Sequence, residues 1–284
     1  MVDLAGQAVY QAVERRSEDI EWFGDEGGRG LRGIACDGDT VYIAASNQLL
    51  AFNRNFKPTG TWRNPSLVDC QGIGVFERKL YIACTGNDCI LAFDLDEQAF
   101  TWAMQIQSSD FQFRPVPFDP QGSDHPMQIN KLHLKSVQGS EGGLRIAGLR
   151  TGGVLHYNGE TIHMSVQLPE GAQDAQFFRK GVVFNDSRAG VLRYSGQDDS
   201  AEDRALAIPF FTAEDHEIND PDTTRMLKRG YARGLCILSG NAVAVGGTPA
   251  GVSIYDLKGN RRLMTVAFTR NVLEAVNCIE TWPS

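Results

Sequence analysis

The sequence predicts an all-β fold built from repeated antiparallel units, and two recurring patterns lead to that prediction. The first is a short apolar strand that follows a glycine-rich turn and ends in an aromatic residue. Its copies lie at Gln48–Phe52, Cys89–Phe93, Gly152–Tyr157, Ala189–Tyr194 and Ala250–Tyr255. The second pattern is an apolar run shortly before each copy, at 41–44, 80–83, 144–147, 182–184 and 243–245. Short β-rich runs bounded by Gly, Asn and Pro are typical of hairpins.

Each of these hairpins is extended by a strand on either side. First strands begin near residues 32, 71, 131, 174 and 233, and more polar fourth strands include Thr61–Trp62, Thr101–Met104 and Arg262–Val266. Four strands per unit, repeated about every 40–60 residues, is typical of a β-propeller, whereas a stacked solenoid usually has a shorter and more regular period. We therefore expect residues 1–284 to form a single β-propeller domain.

The blade count depends on how the two ends of the chain are interpreted. Five units are complete, and a sixth is split: Ala5–Tyr10 copies the third strand, Asp19–Phe23 fits a fourth strand, and Val276–Trp282 resembles a first strand. Joining both termini in one blade would close the ring and remove free sheet edges. The sequence thus predicts six blades, with a five-bladed ring as the alternative.

Two segments interrupt the repeat spacing, at 105–129 and 197–229. Both are polar and rich in Pro and Asp, residues that favour turns over strand interiors. We expect loops over one face of the ring.

Composition excludes several classes of protein. The 284 residues carry a net charge of −8, which argues against nucleic acid and anionic membranes as partners. The sequence has no apolar run of about 18 residues and lacks the basic and apolar parts of a signal peptide at its N-terminus, so a cytoplasmic location is expected. The six cysteines form no CxxC pair and lie mostly in apolar runs, which predicts buried free thiols and neither zinc nor disulfides.

Several segments resemble a bacterial family of uncharacterised six-bladed β-propeller proteins. The matching segments, in order, are Gly33–Ala44, Gln128–Asn130, Gly153–Leu155, Leu168–Ser187, 230–257 and Ile279–Pro283. At two places where the family has histidine this chain differs, since Met127-Gln128 precedes Ile129 and Gly171–Gln176 lacks a His-Ser-Pro sequence. The resemblance implies the propeller fold. In architecture such a ring is similar to lactonases and arylesterases that hold calcium at the channel mouth, which gives a hydrolase-like expectation by analogy of fold alone.

Ligands of propellers usually bind at the channel mouth, where the innermost strands begin, and the polar residues expected there allow two interpretations. The first is a calcium site with oxygen ligands from Asn130, Asp174, Asn185 and Glu274. Such an ion would polarise an ester or lactone carbonyl or activate water, with His133, Asp174 and Asp186 as catalytic residues. Asn and Asp also cap turns, so a purely structural role is the competing explanation.

The second interpretation is a pocket for a small anion. Arginine forks bind carboxylates and phosphates in a bidentate manner, and the substrate-binding candidates are Arg32, Arg150, Arg188 and Arg233, together with Asn277. Arg32 and Arg233 occupy equivalent positions in the repeat, each before a glycine. The competing explanation is that each arginine pairs with a neighbouring carboxylate.

The sequence therefore predicts a polar small-molecule site at the channel mouth. A metal-assisted hydrolase or isomerase of a small anionic substrate, with Ca²⁺ as cofactor, is one function, and a non-catalytic scaffold that binds a ligand or a protein partner is the alternative. The chain contains no GxSxG, HExxH or P-loop pattern that would decide between them.

Overall fold

The protein is a five-bladed β-propeller in the part of the chain that the structure describes. The structure is a computed structural model, and it describes residues 2–3, 8–9, 30–110, 112–196, 203–209, 232–269 and 274–282. The all-β propeller fold predicted from the sequence is confirmed, and the blade count matches the five-bladed alternative.

The strands follow one another along the chain, and each blade is a meander of antiparallel neighbours. A two-stranded sheet of β1 (Val2–Asp3) and β2 (Ala8–Val9) precedes the blades. Blade 1 contains β3 (Ile34–Asp37), β4 (Thr40–Ala45), β5 (Gln48–Phe52) and β6 (Pro58–Arg63). Blade 2 contains β7 (Cys70–Phe76), β8 (Lys79–Cys84), β9 (Cys89–Asp94), β10 (Ala99–Ser109) and β11 (Gln112–Phe118). Blade 3 contains β12 (Leu134–Ser140), β13 (Gly143–Gly148), β14 (Gly153–Tyr157) and β15 (Ile162–Gln167). Blade 4 contains β16 (Ala172–Phe178), β17 (Gly181–Asp186), β18 (Val191–Gly196) and β19 (Arg204–Ala207). Blade 5 contains β20 (Ala232–Ser239), β21 (Ala242–Gly247), β22 (Gly251–Asp256) and β23 (Arg261–Ala267).

The hydrophobic core lies between the blades. Leu49 of blade 1 packs in one cluster with Leu91 of blade 2, and Val154 of blade 3 packs in another with Phe184 of blade 4. Similar clusters join blades 2 and 3 and blades 4 and 5. Because both faces of blades 2, 3 and 4 are covered by neighbouring blades, their second and third strands are largely apolar, as the repeat pattern indicated.

The seam between blades 5 and 1 is filled by the segment Glu274–Trp282, which forms no strand. The Val276 N–H donates to the Gly247 carbonyl of blade 5 at 3.1 Å, and the Asn277 side-chain amide donates to the Leu31 carbonyl at 3.3 Å. The Trp282 ring lies 5.4 Å from that of Phe56 in blade 1. The prediction of a first strand at Val276–Trp282 is therefore wrong, because the segment bridges two blades and joins no sheet.

The predicted sixth blade is not formed by the described residues. Of the proposed third strand at Ala5–Tyr10, only Ala8–Val9 is described, and it pairs with Val2–Asp3. The proposed fourth strand at Asp19–Phe23 lies outside the described residues.

The two predicted loop insertions also need correction. Within 105–129, β10 continues to Ser109 and β11 adds a fifth strand to blade 2. Pro115 and Pro117 fit there because β11 is an edge strand, where a missing N–H costs nothing on the solvent side. Within 197–229, β19 (Arg204–Ala207) is the fourth strand of blade 4, and residues 197–202 and 210–229 lie outside the described part.

Glycines allow the innermost strands β7 and β12 to approach closely. A β-carbon added at Gly72 would lie 2.4 Å from the Lys135 carbonyl oxygen, and one at Gly139 would lie 2.4 Å from Cβ of Phe76. Side chains at these two positions would therefore push blades 2 and 3 apart near the channel.

All six cysteines are free thiols, as the sequence predicted, and four of them are buried. No helix in the described ranges is both long enough and apolar enough to cross a membrane. The cytoplasmic location stays a prediction.

Candidate functional site

A polar cavity of about 780 Å³ occupies the channel between the innermost strands β3, β7, β12, β16 and β20. Its walls come from all five blades and from the segment Glu274–Trp282. The polar groups concentrate where these strands begin, and we call this end the channel mouth. Its main polar residues are Arg32, Asp69, Lys135, Asp174, Arg233 and Asn277.

β-Bulges shape the channel mouth. The pairing register shifts near the start of β7, β12, β16 and β20, at Gln71-Gly72, Lys135, Asp174-Ala175 and Gly234. A bulge leaves a residue unpaired and re-aims its side chain, and bulges are frequent near functional sites. Here the bulged residues Gln71, Lys135 and Asp174 line the cavity.

Several residues of the mouth have left-handed backbone geometry. The φ angles are 48° at Asp69, 54° at His133 and 54° at Asp174. Residues with a β-carbon adopt such angles at an energetic cost, which the surrounding contacts must offset. At Gly234, where φ is 71°, the absence of a side chain makes the same geometry inexpensive.

Arg32 and Arg233 converge on one side-chain oxygen. The Nη1 atoms of both donate to Oδ1 of Asn277 at 3.4 Å. The backbone N–H of Arg32 donates to the Ala44 carbonyl at 2.8 Å, and Arg233 pairs with Gly246 in the sheet, so both arginines start from fixed backbone. The matched pair predicted from the repeat is therefore brought together across the seam of the ring.

The guanidinium of Arg32 is incompletely satisfied. Its Nε is buried and has no hydrogen-bond partner. Burial lowers the pKa of Arg32, the Asp69 carboxylate opposes that shift, and the Arg233 charge adds to it. A buried polar group without a partner is costly, and most buried polar groups in proteins therefore have one.

Lys135 supplies a third cation to the cavity. Its ammonium donates to Oε1 of Gln71 at 3.1 Å, and the amide of Gln71 in turn donates to Oδ1 of Asp69 at 2.8 Å. Burial lowers the pKa of Lys135, and the two arginine charges act in the same direction, against Asp174 and Asp69.

Asp174 lies half-buried across the channel mouth. Its Oδ2 accepts the backbone N–H of Gly234 at 3.1 Å and the side-chain amide of Asn185 at 3.3 Å. Burial raises the pKa of Asp174, while the Lys135 charge, both hydrogen bonds and the Arg233 charge counteract that rise.

His133 is presented by a turn that a buried carboxylate organises. Asp88 accepts the backbone N–H groups of Lys131, Leu132 and His133 at 2.6, 3.0 and 3.2 Å. Nδ1 of His133 lies 2.9 Å from Oδ1 of Asn130. Burial, followed by the Lys135 and Arg150 charges, lowers the pKa of His133 to about 4, so its imidazole is neutral at neutral pH.

Other predicted site residues do not line the cavity. Asp186 accepts the Ala189 N–H at 2.9 Å and the Arg193 Nε–H at 2.7 Å, so it caps a hairpin turn. Arg188 is exposed and paired with Glu170. Neither residue lines the channel cavity, so the catalytic role predicted for Asp186 and the substrate-binding role predicted for Arg188 stay predictions that this geometry does not support.

Two further predicted residues lie outside the cavity wall. Arg150 is exposed, and its Nη1 donates to the Asn130 carbonyl at 2.7 Å, so it acts on His133 through its charge. Glu274 is exposed at the start of the seam segment. The position of Glu274 does not support a metal-binding role, and the position of Arg150 does not support direct contact with a ligand.

The predicted calcium ligands form a poor donor set. Asn130 Oδ1 faces the His133 ring, and Asn185 turns its amide nitrogen toward Asp174, while its Oδ1 is buried without a partner. Asp174 is the one carboxylate among these predicted ligands that lines the cavity, and the positive charges of Lys135 and Arg233 already interact with it. No cluster of three His, Cys, Asp or Glu suited to a metal occurs among the described residues. Hard cations prefer several carboxylate and carbonyl oxygens, so these residues do not fit calcium, and that cofactor stays a prediction.

Sequence reasoning missed Asp69 and Lys135. The repeat alignment placed the first strand of the third blade near residue 131, with Asn130 at the channel mouth, but the polar turn and the bulge move the residue that enters the channel to Lys135. The available signal was a charged residue inside an otherwise apolar strand start, at both Asp69-Cys70 and Leu134-Lys135.

Comparison with known proteins identifies the fold and no family. Neither protein-family models nor curated protein sequences gave a match to this chain. Among solved structures, one chain of a nidogen/laminin complex is similar, with a TM-score of 0.55 and 14% identity over 84% of this chain and 81% of that chain. A streptogramin B lyase structure is also similar, with a TM-score of 0.54 and 9% identity over 85% of this chain and 84% of that chain. Both are β-propellers, so the architecture is supported, while the particular six-bladed family that the sequence resembles is not identified.

Proposed function

We propose that the channel mouth binds a small anionic molecule through Arg32, Lys135 and Arg233. Three cationic side chains face one cavity, in a protein whose net charge is −8, and two carboxylates, Asp69 and Asp174, stand near them. Guanidinium forks suit carboxylate and phosphate groups. The ligand class that this charge pattern favours is a small carboxylate or phosphate.

The observation that carries this proposal is the state of Arg32. Its Nε is buried without a partner, and burial lowers its pKa, with the Asp69 carboxylate opposing that shift and the Arg233 charge adding to it. Partly desolvated cations held near each other are costly, and the Asp69 carboxylate offsets this cost for Arg32 only in part. An anion bound in front of Asn277 would reach Arg32 and Arg233 together.

The position of these groups favours a small molecule over a protein partner. The similar structures come from a lyase and from a nidogen/laminin complex, so the fold alone serves both catalysis and protein association. In this chain Arg32, Lys135 and Arg233 line an internal cavity and do not lie on the outer strands. A scaffold that binds protein through its rim remains the alternative, and metal-assisted hydrolysis or isomerisation has weaker support because its donor set fits poorly.

The test is calorimetric titration of the full chain with inorganic phosphate and with pyruvate, a small carboxylate. Hydrogen bonds to charged groups contribute about 1.5–3 kcal/mol. Arg32→Met and Arg233→Met should therefore each weaken binding by about ten- to a hundredfold.

Arg188→Met is the matched control, because this exposed arginine is paired with Glu170 outside the channel. It should leave the affinity unchanged. Equal weakening by all three substitutions, or no binding of either anion by the unaltered chain, would contradict the proposal.

A further inference from the structure

We propose that Lys135 is a nucleophilic amine that forms an imine with a 2-oxo acid held at the channel mouth. This inference rests on the proposed anion site, because the carboxylate of the 2-oxo acid occupies the place assigned to the anion. It adds a covalent function and a ligand class to that site.

The first support is the position of the amine. Lys135 is the bulged residue at the start of β12, so its side chain turns into the cavity instead of continuing the alternation of the strand. Its ammonium donates to the neutral amide oxygen of Gln71 at 3.1 Å, and it forms no ion pair with any described residue. A lysine held by a neutral acceptor is easier to deprotonate than one locked to a carboxylate.

The second support is the charge around it. The facing groups are Arg32 and Arg233, which disfavour a third positive charge, Asp69 and Asp174, which favour it, and the neutral imidazole of His133. Burial is the largest influence and favours the neutral amine. Desolvation and neighbouring cations are the two conditions that activate lysine as a nucleophile.

The third support is the arrangement of the anion site itself. Arg32 and Arg233 meet at Asn277, on the wall of the same cavity that Lys135 enters. In a 2-oxo acid the electrophilic carbonyl carbon is bonded directly to the carboxylate carbon. A carboxylate held by the arginines thus keeps the reactive carbon inside the polar mouth that the amine shares.

The chemical step is balanced without a redox partner. The lone pair of Lys135 Nζ attacks the carbonyl carbon, the C=O π pair moves to oxygen, and a proton reaches that oxygen to give a carbinolamine. The nitrogen lone pair then forms the C=N bond as the C–O bond breaks. Both amine protons leave with the former carbonyl oxygen as one water molecule. Asp174, whose pKa burial raises, is the carboxyl group that is placed to relay these protons.

The test is reductive trapping. The full chain is incubated with pyruvate and sodium cyanoborohydride, its intact mass is measured, and the modified peptide is mapped. One reduced pyruvate adduct is expected, located on Lys135. Trapping spread evenly over exposed lysines, or absent from the peptide that contains Lys135, would overturn the inference without any variant.

Two variants sharpen the result. Lys135→Met should lose the adduct, while Lys131→Met, which removes an exposed lysine of the preceding turn, should keep it. Arg32→Met should lower the yield at low pyruvate and recover it at high pyruvate, since it weakens binding and leaves the amine in place.

Calorimetry separates this inference from the function on which it rests. If the chain binds pyruvate and phosphate but is not trapped, the anion site stands and the imine is wrong. If the chain binds neither anion, the proposed function fails first. Lys135→Met that keeps the circular-dichroism spectrum and the melting temperature of the unaltered chain shows that the loss of the adduct reflects loss of the amine and not of the fold.

Discussion

His133 shows how single residues of the mouth are held in costly states. Its backbone is left-handed, its imidazole is partly desolvated, and two cations lie near it. Asp88 compensates by accepting three consecutive backbone N–H groups, which fixes the turn in one conformation. The neutral ring is therefore a consequence of its surroundings and can be tested by titration.

The stability of the protein should depend on pH through His133. Its folded pKa of about 4 lies below the ordinary value of 6.5, so between these two values the unfolded chain binds a proton that the folded chain does not. The free energy of unfolding must then rise with pH through this window and fall on acidification. His133→Asn should show a shallower loss than the unaltered protein between pH 6.5 and pH 4, measured by urea denaturation.

His163→Asn is the control for that experiment, because His163 is exposed on an outer strand. It should keep the pH profile of the unaltered protein. Identical profiles for His133→Asn and the unaltered chain would contradict the assignment of a neutral, partly buried ring.

At the residue scale, the sequence could predict those site residues that the repeat itself places. Arg32, Arg233 and Asp174 sit at equivalent strand starts and do line the cavity. Lys135 was missed because the repeat alignment does not show the bulge, which shifts the register by one residue, and a one-residue shift changes the face to which a side chain points. Asp186 and Arg188 do not line the cavity, because Asp186 accepts hydrogen bonds within the hairpin turn between the second and third strands and Arg188 pairs with Glu170.

Among the structural elements, the tight contact between β7 and β12 depends on glycine. These innermost strands approach so closely that the added β-carbon at Gly72 would lie 2.4 Å from a backbone oxygen. Backbone cannot move aside as the tip of a flexible side chain can. The spacing of blades 2 and 3, and with it the position of Lys135, rests on this contact.

Gly72→Ala should destabilise the protein by about 1–3 kcal/mol, the usual cost of overpacking. The readout is the free energy of unfolding from urea denaturation. Gly142→Ala is the matched control, since its added β-carbon would meet its nearest atom, Nε2 of His156, at an ordinary 3.7 Å. If both variants lose the same stability, the close approach of the two strands is not what makes Gly72 necessary.

Most strands of the blades could be predicted from apolar periodicity, because strands covered on both faces are almost continuously apolar. The fifth strand of blade 2 could not. β11 (Gln112–Phe118) is an edge strand with two prolines and exposed polar residues, and that composition is the same as that of a loop. Its pairing with β10 is decided by the long extension of that strand, a tertiary effect that local composition does not record.

For the whole molecule, the segment Glu274–Trp282 determines how the ring closes. It contacts blade 5 through Val276 and blade 1 through Asn277 and Trp282. The sequence predicted that this segment would close the ring, but as a first strand that joins the N-terminal segment in a sixth blade. Five sheets plus a bridging segment fill the ring because the bridge occupies the gap without needing a complete hydrogen-bonded ladder.

Removal of residues 274–284 should lower the melting temperature and weaken anion binding. The truncated chain loses the aromatic contact with Phe56 and the oxygen that holds Arg32 and Arg233 together. For a chain of this size, each 1 kcal/mol lost corresponds to roughly 2–4 °C. Scanning calorimetry would measure the melting temperature, with a chain lacking only residues 283–284 as the control. Equal melting temperatures for the two chains would refute a closing role for the segment.

The convergence of Arg32 and Arg233 links ligand binding to closure of the ring. One arginine belongs to the first blade and the other to the last, so an anion bound by both would hold the two ends of the ring together. It would add stability in proportion to the logarithm of its concentration above its dissociation constant. Asn277 follows all five blades in the sequence, so a partly synthesised chain lacks part of this anion site. Ligand capture would then report that assembly of the ring is finished.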